Sequence, residues 1–289
     1  MAPPKFRTRF APSPTGRLHL GHAFAALTAF EAARAASGVC LLRMEDIDRT
    51  RCKPEFEAAI YDDLAWLGLD WPTPVRRQSD HFSAYRDALS ILIDRRLVYR
   101  CFKTRKEILA EIARAPHAPP DGPEGPAYVG APLPDEEERS LLEAGAPYAW
   151  RLSMARARDA LGGAFQQLAF HELINGERRR VVAQPDKFGD IVIARKDAGT
   201  SYHLASVFDD ALQEVTHVIR GVDLRPSAHL HRLLQALLGA PAPVYQHHRL
   251  ILNADGKRLA KRDQAQTLSA LRQDGATPSD IRRQLGFRI

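Results

Sequence analysis

The chain has 289 residues, of which 45 % are hydrophobic and 26 % charged, with a formal charge of +6. That is enough apolar material for at least one full core and, by length, roughly two domains, which excludes a disordered chain. No run of about eighteen apolar residues occurs, so no helix is expected to cross a bilayer, and the start MAPPKFRTRF lacks the apolar stretch of a secretion signal, which makes a cytoplasmic location the expectation.

Lys5 to Ala11 carries Phe6 and Phe10 and ends at the turn-forming Pro12-Ser13-Pro14-Thr15-Gly16, the pattern of a strand entering a loop. From about Gly21 to Ala36 strong helix formers dominate and Gly38 supplies a stop, so a helix is predicted. Val39 to Met44 is a short apolar run whose C-terminal edge carries Glu45, Asp46 and Asp48, consistent with a buried strand. Ligands of open α/β sheets collect outside the carboxyl ends of strands, where both the turn and the acidic cluster fall. Between about Cys101 and Pro134, Pro and Gly are dense enough that a long irregular loop is predicted.

From Pro147 to Ser201, the stretches YAWRLSM, AFQQLAF and GDIVIARK read as strands of a separate, more antiparallel module inserted in the chain. A helix in LASVFDDAL, a strand in VTHVIRG and a helix from Ser227 to Leu238 then restore the α/β pattern, and no internal repeat is visible. Cys40, Cys52 and Cys101 stand in no CxxC or CxC pairing and read as isolated thiols. Arg249 to Ile289 holds nine Lys or Arg against four Asp or Glu, a basic end that suits either a polyanion or a solvated helix surface.

Two motifs carry chemistry. His19-Leu20-Gly21-His22 stands where a loop enters a helix, which aims backbone N–H groups and two imidazoles at an anion such as a phosphate chain. The glycine allows close approach of a nucleotide to the backbone. Alone, the motif is equally compatible with a helix start bearing incidental histidines. Lys257-Arg258-Leu259-Ala260-Lys261-Arg262 follows the turn Asn253-Ala254-Asp255-Gly256 and forms a cationic loop able to stabilise a pyrophosphate leaving group, or simply a basic surface turn.

Together, and in this order, the two motifs resemble the HIGH and KMSKS signatures of class I aminoacyl-tRNA synthetases. The resemblance narrows to the glutamyl branch at RFAPSPTGRLHLGHA (Arg9 to Ala23), LRMEDIDRTR (Leu42 to Arg51), LDW (Leu69 to Trp71), SYHLASVFDD (Ser201 to Asp210) and VTHVIRGVDL (Val215 to Leu224). It implies an α/β fold: a Rossmann-like nucleotide-binding core over 1–100 and 202–240, an inserted α+β module over 101–201, and a KMSKS-like loop with a short basic helical region over 241–289. It also implies a glutamate site at Arg9, Phe10, Ala11, Pro12, Ser13, Glu45, Tyr202 and Arg220. Arg9 and Arg220 would supply guanidinium forks for carboxylates, Glu45 would hold the ammonium, and Ser13 and Tyr202 would orient the substrate. ATP would lie on His19, Gly21, His22 and Lys261, with His19, His22 and Lys261 serving catalysis and Mg²⁺ arriving with ATP. Read without the resemblance, Arg9 is also compatible with a strand-edge charge, Glu45 with an N-cap or an ion-pair partner, and Tyr202 with a core aromatic. Asp46 and Asp48 are expected to organise the loop.

Only 27 residues follow Arg262, and Val222 stands where the full-length enzymes carry an acidic residue after Arg-Gly. Both features resemble the short members of the branch, the glutamyl-queuosine tRNA(Asp) synthetases. The expected partners are therefore L-glutamate and tRNA(Asp) bearing queuosine, with neither a membrane nor a stable protein partner. The short members commonly carry a zinc site of Cys-x-Cys, Tyr and Cys. Here Cys101 is followed by Phe102 and Lys103, and Tyr128 by Val129, Gly130, Ala131 and Pro132, so zinc is not expected and no metal ligands are assigned.

Overall fold

The structure, a computed structural model, describes residues 5–114, 121–123, 125–196, 199–252 and 266–288. The first unit is β1 (Arg7–Phe10), α1 (Leu20–Ala35) and β2 (Val39–Met44), followed by α2 (Pro54–Trp66), β3 (Arg76–Arg77) and α3 (Phe82–Asp94). Next come β4 (Val98–Cys101), α4 (Arg105–Arg114), the short pair β5 (Asp121–Gly122) and β6 (Gly125–Pro126), α5 (Asp135–Glu143), β7 (Ala149–Leu152), α6 (Met154–Leu161) and α7 (Gly163–Gln167). The hairpin of β8 (Ala169–Ile174) and β9 (Glu177–Val182) leads to β10 (Ile191–Arg195), α8 (Tyr202–Leu212) and β11 (His217–Gly221). The last elements are α9 (Ser227–Leu238), β12 (Val244–His248), α10 (Leu268–Gln273) and α11 (Pro278–Leu285).

β1, β2 and β3 form a parallel sheet, and β11, β12 and β8 form a second one, with β9 antiparallel on its edge. The two meet at β1 and β11, where Thr216 N donates to the Arg7 carbonyl and Arg7 N donates to Thr216 Oγ1, both at 2.9 Å. β10, β7 and β4 make a separate antiparallel sheet. This is the α/β core with an antiparallel module expected of the sequence.

Alanine dominates the buried stripe of α1, so Ala23, Ala26, Ala29 and Ala33 let the helix lie close on β1 and β2, with Leu27, Phe30, Leu42 and Met44 filling the space between. Leu268 of α10 and Ile281 and Leu285 of α11 close the same core at 0–3 % exposure, so the basic C-terminal helices are packed elements as well as charged surface. The second core gathers Leu92, Leu152, Ile193, Leu204, Val218, Leu233 and Leu234 between the antiparallel sheet and α8 and α9.

Three expectations are corrected. The span from Cys101 to Pro134 is not uniformly irregular: α4 forms because RKEILAEIAR is rich in helix formers, and Glu107 reaches back to Thr104 N at 2.6 Å while Thr104 Oγ1 accepts from Glu107 N at 3.3 Å. In AFQQLAF the first half is α7 and only the second half enters β8. And β8, inside the span 101–201 expected to be an insert, pairs with β12 in the parallel sheet, carrying β9 with it, so the core sheet runs across that boundary.

Candidate active site

Five segments converge where β1, β2 and β11 end. The end of β1 presents Arg9 and Phe10, and the Pro-rich turn that continues it presents Ala11, Pro12 and Ser13; the start of α1 presents His19, Gly21 and His22; Glu45 follows β2; Tyr202 begins α8; and Arg220 lies on β11. All eleven line one cavity of about 410 Å³. Lys261, with the rest of the cationic loop, lies outside the described residues.

At the start of α1 the two histidines cap each other's turn. His19 Nδ1 accepts from Gly21 N at 3.1 Å, and His22 Nδ1 accepts from His19 N at 3.2 Å, with the rings 3.8 Å apart. Two backbone N–H groups expected to face an anion are thus engaged by the imidazoles. An imidazole accepting at Nδ1 carries its proton at Nε2, which leaves that N–H as the donor each ring can offer. A Cβ on residue 21 would sit 3.0 Å from the His19 ring, so glycine is what lets the ring fold over the helix start.

Behind the cavity lies a buried ion cluster that sequence reasoning did not assemble. Arg43, fully buried on β2, donates to Asp210 Oδ1 at 2.8 Å and to Glu45 Oε1 at 3.1 Å. Arg9 Nε donates to the same Asp210 Oδ1 at 3.0 Å, and Arg76 Nε to Asp209 Oδ1 at 2.7 Å. Three guanidinium groups therefore face three carboxylates. Burial opposes charge throughout, and its outcome differs between sites. It raises the Glu45 carboxyl despite Arg43 and Arg9, whereas at Asp210 the two arginines outweigh it and hold the carboxyl below its ordinary value. The signal was in the sequence: one arginine in the apolar run VCLLRM and two aspartates in LASVFDDAL demand partners once buried.

Arg220 is different. It is 5 % exposed, and its contacts are neutral: Nη1 donates to Tyr202 Oη at 3.3 Å and to His231 Nδ1 at 3.4 Å, Nε donates to His247 Nε2 at 3.4 Å, and the group lies 5.2 Å over the Tyr245 ring. Its Nη2 has no hydrogen-bond partner among the described residues. Burial, with Arg220 beside it, holds His231 well below the usual imidazole range, so the ring accepts as a neutral group.

Asp46 accepts from Ser79 N and Oγ at 2.8 and 2.5 Å, while Asp48 accepts from Thr50 and Arg51, whose hydrogen bonds take its carboxyl down to about 2. Both organise the loop after β2. A second cavity of about 820 Å³ shares Ser13, Glu45 and Tyr202 with the first and extends over Lys103, Arg105, Arg151 and Arg195 toward the antiparallel module.

The profile of the class I tRNA synthetases (E and Q), catalytic domain, matches residues 5–288. The chain belongs to this family. It is 49 % identical over 285 residues to a glutamyl-Q tRNA(Asp) synthetase of Rhodobacter capsulatus, covering 97 % of this chain and 99 % of that protein. A glutamate–tRNA ligase of Aquifex aeolicus is 37 % identical over 284 residues, but this chain spans only 56 % of it. Among solved structures, a glutamate tRNA ligase of Elizabethkingia meningosepticum in complex with its amino acid superimposes with a TM-score of 0.73 at 30 % identity; the match covers 95 % of this chain and 59 % of that one.

Two features singled out in the sequence have a structural form. Val222 is 43 % exposed. Tyr99, Cys101, Ile108 and Tyr128 pack as a small buried cluster, and among the described residues no group of three or more His, Cys, Asp or Glu could hold a metal ion. The segment carrying Tyr128 is tied down by Asp190, which accepts from Tyr99 Oη at 2.9 Å and Gly130 N at 3.0 Å.

Proposed function

We propose that this synthetase-family chain activates L-glutamate with ATP to glutamyl-AMP and transfers the glutamyl group to the queuosine base of tRNA(Asp), in the cytoplasm. The observation that supports glutamate is Arg220: a buried guanidinium on the cavity wall, with neutral partners and an Nη2 that has no hydrogen-bond partner among the described residues, suits a carboxylate. Glu45 supplies the anion for the substrate ammonium, and Arg9, Ser13 and Tyr202 bound the space between.

In the first step a carboxylate oxygen of glutamate attacks the α-phosphorus of ATP, forming the acyl phosphate bond as the bond to pyrophosphate breaks. ATP and its Mg²⁺ supply the electrophile and the leaving group. The chain supplies position and electrostatics: the Nε2–H groups of His19 and His22 donate to phosphoryl oxygens, the start of α1 favours the anion, and Lys261 contributes charge to the leaving group. No protein nucleophile is needed. In the second step a hydroxyl of the queuosine cyclopentene diol attacks the acyl carbon, the ester forms, and AMP leaves with the bond electrons while the hydroxyl proton is released. The larger cavity, which adjoins the glutamate site at Ser13, Glu45 and Tyr202, supports entry of the acceptor from the side of the antiparallel module. The choice of acceptor rests on the similarity to the Rhodobacter protein.

The test supplies labelled glutamate and ATP with tRNA(Asp) bearing queuosine, tRNA(Asp) lacking it, and tRNA(Glu). Label on the first alone is expected. Label on tRNA(Glu) alone overturns the acceptor, and absence of glutamate-dependent pyrophosphate exchange overturns activation.

A further inference from the structure

Arg220, His247, Tyr245 and Glu172 come from three adjacent strands in parallel register, Arg220 opposite His247 and Tyr245 opposite Glu172. Side chains alternate along a strand, so all four project from one face of the sheet. Glu172 is 2 % exposed and held by Arg225 through three contacts of 2.9–3.2 Å. Its Oε1 lies 2.7 Å from His247 Nδ1. His247 in turn presents Nε2 to Arg220 Nε.

We propose that Glu172 and His247 are positioning residues for glutamate: Glu172 fixes His247 as the Nδ1–H tautomer, whose Nε2 lone pair holds Arg220 Nε and so sets the plane of the guanidinium on the cavity wall. The proposal rests on the reading of Arg220 as the carboxylate seat. A carboxylate that accepts from Nδ1–H leaves Nε2 unprotonated, and only an unprotonated Nε2 can accept from Arg220 Nε. The other tautomer would set N–H against N–H and swing the guanidinium away. The imidazole is also a spacer. Glu172 placed directly on Arg220 would neutralise the charge that the substrate must use, whereas a neutral ring passes on orientation and leaves the charge available. Burial and the nearby Arg220 push the His247 imidazole down to about 4 against the pull of Glu172, so the ring is neutral near pH 7. Tyr245, stacked on His247 at 6.1 Å and beneath Arg220, keeps the ring from tilting.

The test measures glutamate-dependent pyrophosphate exchange for His247→Leu, His247→Gln, Glu172→Leu and Glu172→Gln. The leucine variants are expected to raise the glutamate KM on the order of 10-fold while kcat and the ATP KM change far less. The glutamine variants, which keep an acceptor oxygen, are expected to recover most of the loss. An unchanged glutamate KM in a folded His247→Leu protein overturns the proposal, as does a loss confined to kcat. Nitrogen-15 spectra of the wild-type protein give an answer that needs no variant: the Nδ1–H tautomer at His247 is expected, and the Nε2–H tautomer refutes it. Failure of exchange in the wild-type protein itself would tell against glutamate activation, and the spectra would still judge the tautomer.

Discussion

Arg43 and Arg220 are both buried arginines of the parallel sheets, each within reach of the same cavity wall, and they are treated oppositely. Arg43 is wrapped by Asp210 and Glu45, with Asp209 at 4.0 Å, and these anions hold its charge in place against complete burial. Arg220 meets a phenol, two imidazoles and an aromatic face, and one nitrogen is left over. A charge matched by permanent counter-charges stabilises the fold and is spent there. A charge held by neutral acceptors is still available, and its desolvation cost is recovered only when a ligand arrives.

The largest effect should come from breaking the matched cluster. Arg43→Met leaves Asp210 and Glu45 buried beside an apolar chain, and removing one member of a buried pair costs roughly 3–5 kcal/mol. Urea unfolding should show that loss, and a variant as stable as the wild type would mean the cluster contributes nothing net. Arg220→Ala is the converse. The glutamate KM should rise by a factor of roughly 10 to 150, the equivalent of about 1.5–3 kcal/mol for a charge-assisted contact. The melting temperature should stay level or increase, because an unpaired buried charge is gone. An Arg220→Ala protein that melts early and binds glutamate normally would reverse the roles assigned to the two residues.

Much of this was legible before any coordinates, for local reasons. Val39–Met44 and Ser227–Leu238 form the expected strand and helix, because a sharp apolar run after Gly38 and a helical stretch ending at Gly239 are each decided by neighbours in sequence. Eleven residues that the family motifs single out line one cavity, whereas Lys261 lies outside the described residues. What stayed hidden was pairing across distance: Arg43 with Asp210 spans 167 residues, and Glu172 with His247 spans 75. The sequence shows only that a charge sits in an apolar run, and which opposite charge will meet it is decided by strand order. The helix α4 was hidden for another reason. Thr104 and Glu107 form a capping signature, but the prolines that follow obscured it.

The smallest effect concerns pH and separates the neutral shell of Arg220 from the ion cluster. A folded His247 near 4, against about 6.5 when unfolded, means that the unfolded chain binds a proton the folded chain refuses. Stability from this group is complete above 6.5 and falls as pH drops through the window from about 6.5 to about 4, losing roughly 1 kcal/mol by pH 5.5. His231 is shifted in the same direction and adds to the slope. Asp210, held low, titrates below this window, whereas Asp63, pushed up to about 6 by burial, and Glu45, also raised by burial, act with the opposite sign, so the His247 share is read from a difference between variants. Unfolding midpoints of wild type and His247→Gln at pH 7.5, 6.5 and 5.5 isolate the contribution. The two curves should converge toward acid pH, the wild type losing more. Parallel curves would mean that His247 titrates alike in the folded and unfolded chains, and a wild type that gains stability toward acid relative to the variant would mean that the ring carries a proton beside Arg220 and that the guanidinium is not surrounded by neutral partners after all.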